Sequence, residues 1–167
     1  MASEKQEFLR VVEANQATIR SLCKAYYASP DDRRDVFQDI ILQLWKSFKT
    51  FRGESKISTW IYRVSLNTIL AKVRDEKRKL ATEPMSGSEL AFYGAKADDN
   101  TELLTMVLQC LRDVDKAIVI LYLEGYKTKE ISQILDITPT NVTTRLSRVK
   151  AELKSRFNSH HYEFKQP

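Results

Sequence analysis

Residues 128–154 read TKEISQILDITPTNVTTRLSRVKAELK, and the spacing within them decides the fold class. Ile131, Ile134 and Leu135 form the apolar stripe of a short helix. Asp136, Ile137 and Thr138 then make a tight turn, opening on one of the few residue types besides glycine that tolerate positive φ. Thr138 suits an N-cap and Pro139 the first helical position, where its missing N–H costs nothing. Beyond the cap, Val142, Leu146, Val149 and Leu153 recur at spacings of 4, 3 and 4 and turn inward. Thr140, Asn141, Thr144, Arg145 and Arg148 are left outside.

One helix bracing a second across a sharp turn is the helix-turn-helix pattern, whose second helix enters the DNA major groove by its N-terminal residues. The outward side chains fit that task. Asn bonds adenine edges, Arg bonds guanine, and Thr offers a hydroxyl and a methyl. Arg148, Lys150 and Lys154 farther along can meet phosphates. An ordinary helical hairpin with a polar exterior is the bland alternative.

The rest of the chain agrees with an all-α protein. Its 167 residues include only 4 Gly and 4 Pro, and most apolar residues recur at helical spacing. No run of 18 apolar residues exists, so nothing is expected to span a membrane. The opening MASEKQEFLRVVEANQ carries acids where a secretory signal needs a basic start, so a cytoplasmic protein is expected. Cys23 and Cys110 lack metal-ligand spacing and read as small core residues; His160 and His161 read as solvated tail residues. No catalytic constellation, metal site or cofactor motif is present, so neither enzyme chemistry nor a cofactor is expected.

Charge is unevenly distributed. Residues 46–79 hold ten Lys/Arg against three acids, a net of +7, and residues 126–157 carry a net of +4. The intervening 80–102 carries −4. Two basic blocks flanking an acidic spacer fit two contacts with one polyanion, although charge runs also serve as solvated faces.

Phe8, Val11, Val12, Ile19, Leu22 and Tyr26 suggest a first helix, which Ser29, Pro30, Asp31 and Asp32 break while capping the next. That next helix carries Val36, Phe37, Ile40, Ile41, Leu44, Trp45 and Phe48 on an apolar face beside an edge of Asp35, Gln38 and Asp39, suited to docking a protein. FRGES (51–55) makes a turn, and Ser58 can cap a helix from Thr59 towards Lys79. On it Arg63, Asn67 and Arg74 fall within about 40° of one another, flanked by Thr59 and Trp60. Such an edge can grip a nucleic-acid strand by charge and stacking. Trp60 and Trp45 fit a core anchor equally well. Periodicity fails across 81–101, read as a linker, which divides the chain into domains at 1–80 and 102–160. A linker of that length extends to about 70 Å, close to two turns of duplex at about 34–36 Å each.

The segments 35–79, DVFQDIILQLWKSFKTFRGESKISTWIYRVSLNTILAKVRDEKRK, and 111–154, LRDVDKAIVILYLEGYKTKEISQILDITPTNVTTRLSRVKAELK, taken in order, resemble an RNA polymerase sigma factor of the extracytoplasmic-function (ECF) type. The resemblance implies a factor that directs core RNA polymerase to promoters and assists their opening. It assigns Asp35, Gln38, Asp39, Ile41 and Trp45 to polymerase docking. It gives the loop 52–58, with Arg52 and Lys56, the capture of a base flipped from the −10 element, and Trp60, Arg63, Asn67 and Arg74 the opened strand. Thr140, Asn141, Thr144, Arg145 and Arg148 would read the −35 element as duplex. An inhibitory anti-sigma factor is also implied as a partner. Ala71 stands where the family often has Asp, and Asp136 where it often has Gly. The competing readings are a two-domain regulator that binds DNA without polymerase and a helical adaptor protein.

Overall fold

A computed structural model describes residues 2–82 and 99–163 of the chain. Seven helices and no strand occupy the described residues. They fall into two compact units, residues 1–97 and 98–167.

The first unit holds α1 (Ala2–Tyr26), α2 (Pro30–Phe48) and α3 (Ile57–Thr82), each packed against both others. Ser29 caps α2: its hydroxyl accepts from the Asp32 N–H at 3.5 Å, and Pro30 takes the first helical position. At the same corner the Arg33 Nε–H donates to the Tyr27 carbonyl at 2.6 Å. Ile19, Val36, Ile40, Leu44, Ile61, Leu66 and Ile69 are fully sequestered between the helices. Each such aliphatic side chain contributes about 1.5–3 kcal/mol through lost water contact. Cys23 joins this core, and burial pushes its thiol up to about 11. Helix α3 begins two residues before Thr59: the Trp60 N–H already bonds the Lys56 carbonyl, so Ser58 lies inside the helix and caps nothing.

The second unit holds α4 (Asp99–Gln109), α5 (Asp113–Leu123), α6 (Thr128–Leu135) and α7 (Pro139–Glu163). Helix α5 ends in a Schellman turn, with Tyr126 N–H bonding the Leu121 carbonyl and Gly125 N–H the Tyr122 carbonyl, Gly125 at φ 88°. Ala117, Ile118, Leu121, Ile131, Ile134, Val142 and Val149 form the core; Leu146 and Leu153 are half-buried. Cys110, expected inside, is exposed beyond the end of α4. Of the stretch read as a linker, Ala81 and Thr82 belong to α3 and 99–101 to α4, while 83–98 lies outside the described residues. The side chains of His160 and His161 lie outside them too.

Candidate nucleic-acid and polymerase interfaces

The α6–α7 corner is built by local chemistry. Asp136 sits at φ 55°, ψ 47°, the left-handed region, and the Ile137 N–H closes the turn onto the Ser132 carbonyl at 3.1 Å. The Thr138 hydroxyl then accepts from the Asn141 N–H at 3.1 Å, and Val142 N–H bonds the Thr138 carbonyl, starting α7 at Pro139. Thr140, Asn141, Thr144 and Arg148 stand exposed along the outer face. Arg145 does not. Its Nη1 donates to Oδ1 of Asp115 in α5 at 2.9 Å and its Nε to the Asn141 Oδ1 at 2.7 Å. The guanidinium expected to read bases therefore ties α7 to α5, because a nearly buried carboxylate lies within its reach. Lys150 lies along the surface over α5, its ammonium 4.4 Å from the Tyr122 ring centre and donating to that hydroxyl at 3.2 Å.

In the first unit Arg63, Asn67 and Arg74 share an exposed edge of α3, and Arg52 and Lys56 are exposed on the preceding turn. Gly53 makes that turn at φ 71°, a conformation L side chains rarely adopt. Among the described residues none of these four cations has a salt-bridge partner. Ala71, in place of a carboxylate, leaves the edge without a local anion between Asn67 and Arg74. Trp60 departs from the stacking role: it is 8% exposed, its ring 5.0 Å from Phe51 and 6.1 Å from Phe48. Phe8 continues the cluster, edge-to-face with Phe48 at 5.3 Å and with Trp45 at 4.9 Å. Packing separates the two tryptophans: Trp60 is core, and Trp45 is half-buried against Phe8.

Helix α2 presents Asp35 and Gln38 to solvent, with Asp39 and Ile41 half-buried. Asp39 accepts from the Lys72 ammonium of α3 at 2.5 Å, a pair that holds the lysine's pKa above its ordinary value. Centred on this face is Leu42, 50% exposed, which the sequence reading passed over. Its place on the polar side of the helix, between Asp35, Gln38 and Asp39 one and two turns away, was the available signal. Asp115 was missed as well, since nothing in sequence marks one aspartate of α5 as turned inward. Among the described residues no group of three or more His, Cys, Asp or Glu can hold a metal ion.

Residues 11–79 match the sigma-70 region 2 family and residues 101–153 the sigma-70 region 4 family, in the order of the two units. The chain is 26% identical to the ECF RNA polymerase sigma-E factor of Haemophilus influenzae, over 92% of this chain and 88% of that one. To the ECF RNA polymerase sigma factor SigW of Bacillus subtilis it is 24% identical, over 92% and 90%. The chain belongs to the sigma-70 family and is a sigma factor of the ECF type. Its fold is similar to that of the sigma factor RpoE of Bartonella quintana, solved in complex with the anti-sigma factor NepR. The TM-score is 0.66 at 19% identity, covering 95% of this chain and 98% of that one. It is also similar to CnrH in complex with the cytosolic domain of CnrY, with a TM-score of 0.64 at 17% identity, covering 93% and 90%. As a sigma factor the chain directs core RNA polymerase to specific promoters and assists their opening. No helix among the described residues is long and apolar enough to cross a membrane.

Proposed function

We propose that this sigma factor divides its work by helix. The α2 face of Asp35, Gln38, Asp39, Ile41 and Leu42 docks on core RNA polymerase. Trp45 supports that face from beneath through Phe8. Arg52 and Lys56 on the Gly53 turn, with Arg63, Asn67 and Arg74 on α3, capture and hold the opened −10 strand. Thr140, Asn141, Thr144 and Arg148 read the −35 element as duplex, and residues 81–101 tether the two activities. The chain accelerates no reaction of its own; it lends specificity to the polymerase, acts in the cytoplasm, and is held in check by an anti-sigma factor.

The observation that carries this reading is the uncompensated cationic edge. Exposed cations without carboxylate partners leave a positive surface potential that attracts a polyanion. Extruding a base costs a few kcal/mol, and hydrogen bonds between these cationic side chains and the released strand contribute about 1.5–3 kcal/mol each, enough to offset it. Transcription from a linear promoter template by purified core polymerase, with and without the chain, is the test. Promoter-specific transcripts only in its presence are expected, and Leu42→Glu is expected to abolish them by preventing assembly. Tight duplex binding by the chain alone, with no initiation, favours the polymerase-independent regulator instead.

A further inference from the structure

Arg145 makes no use of its outward position; both of its hydrogen bonds run within the unit, one to Asp115 and one to Asn141. The chemistry of that second bond fixes more than a distance. A guanidinium has donors only, so the Asn141 atom it meets at 2.7 Å must be the carbonyl oxygen. The carboxamide oxygen is therefore turned towards Arg145, and the two N–H donors of Asn141 are left to face outward from the exposed start of α7. Arg145 is itself held by Asp115, whose side chain is only 10% exposed. An arginine of this length, without that anchor, samples many rotamers and leaves the amide able to flip.

We propose that Asp115, which reaches no DNA, is a specificity-determining positioning residue: through Arg145 it fixes the orientation of the Asn141 amide and so sets which base that residue prefers. This rests on the assignment of Asn141 to the −35 duplex. Outward N–H donors select a base edge rich in acceptors, as guanine presents with O6 and N7 in the major groove. A flipping amide serves donors and acceptors alike, so losing the anchor relaxes discrimination at one base pair and leaves the others alone.

The test uses the full chain assembled with core RNA polymerase and a pool of linear duplexes randomised over both promoter elements. Retained duplexes are sequenced to give the preference at every base pair. Four proteins are compared: the natural chain, Asn141→Ala, Asp115→Asn, and the double variant Asp115→Leu with Arg145→Met. The last removes both charges while keeping the branched outline of the aspartate and most of the arginine stem, an apolar replacement of a buried pair that folded proteins often tolerate, so it decides the matter should Asp115→Asn fail to fold. Asn141→Ala is expected to flatten one upstream position by at least about 5-fold, the lower end for a paired side-chain contact. The Asp115 variants are expected to flatten that same position, with downstream preferences unchanged. If Asn141→Ala flattens a position that both Asp115 variants preserve, the relay is wrong while the assignment of Asn141 stands. If the Asp115 variants weaken binding equally at all positions, Asp115 serves stability alone and the proposal is overturned. If Asn141→Ala changes nothing, the assignment of Asn141 and the relay fall together.

Discussion

On α3, Arg63 and Arg74 stand in solvent with no ion-pair partner among the described residues, while on α7 Arg145 is tied at 2.9 Å to a nearly buried aspartate and at 2.7 Å to its neighbour Asn141. Both helices were expected to offer Asn and Arg to nucleic acid, and the two sets of side chains differ in how they are held: those of α3 stand unpaired among the described residues, whereas Arg145 of α7 is tied on two sides. A separated strand has no fixed shape, so long unrestrained side chains can follow it and be ordered as it binds. Duplex is a rigid template whose base edges lie at fixed places, so side chains already held in one geometry lose less on binding. On the proposed roles, the firmness of each surface would match the firmness of what it meets.

The largest effect that can break this comparison comes from melting. Arg63, Asn67 and Arg74 replaced together by Ala should cut run-off transcription from a linear template by about 100-fold or more, a hydrogen bond from a charged group being worth about 1.5–3 kcal/mol. A template already mismatched open across the −10 element should restore most of that loss. Thr140→Ala with Asn141→Ala should lower transcription too, yet gain nothing from the open template. Equal rescue of both variants would erase the distinction drawn here.

Stability should separate the two arginines next. Arg145→Ala leaves the Asp115 carboxylate, 10% exposed, without its guanidinium, and should cost about 1–3 kcal/mol, the scale of a lost hydrogen bond to a charged group. Arg63→Ala, on an exposed face, should stay within about 0.5 kcal/mol of the natural chain. Thermal or denaturant unfolding of each variant reads the difference directly.

Salt gives a finer measure. Lys154→Ala, at a side chain placed for phosphate contact only, should reduce the slope of log affinity against log salt by about 1 in a holoenzyme–duplex titration, while leaving sequence preference alone. Asn141→Ala should leave the slope unchanged. The smallest effect concerns the cysteines. At pH 8 a thiol reagent should label exposed Cys110 rapidly and buried Cys23 only on unfolding. Cys23 ordinarily ionises near 9.0 and is pushed to about 11 by burial, so its stabilising contribution is whole below pH 9 and lost as pH climbs through 11. Tyr27, raised by burial and by the Glu76 carboxylate that accepts its hydroxyl at 3.2 Å, adds its own loss above pH 10. The fall in unfolding midpoint between pH 9 and 11 should therefore be shallower in Cys23→Ala than in the natural chain.

What could be read from the chain without coordinates was whatever depends on neighbours in sequence. Ser29 and Thr138 accept from N–H groups three residues on, Pro139 takes a helical position where a missing N–H costs nothing, and Asp136 is one of the few residue types besides glycine that tolerate its left-handed backbone. Helical spacing likewise named Ile40, Leu44, Ile131 and Val142 as interior, since a helix places every third or fourth residue on one side. Which groups meet across helices was settled only by packing. Trp60 went into the aromatic cluster because Phe48 and Phe51 close over it, Leu42 was left in solvent on the side of α2 that carries Asp35 and Gln38, and Lys72 was drawn to Asp39 on α2. Asp115 and Arg145 are thirty residues apart, and neither carries a local mark of the other. Spacing along a chain sets direction about a helix axis, whereas an ion pair between helices depends on their crossing and separation, quantities that exist only once the core has formed.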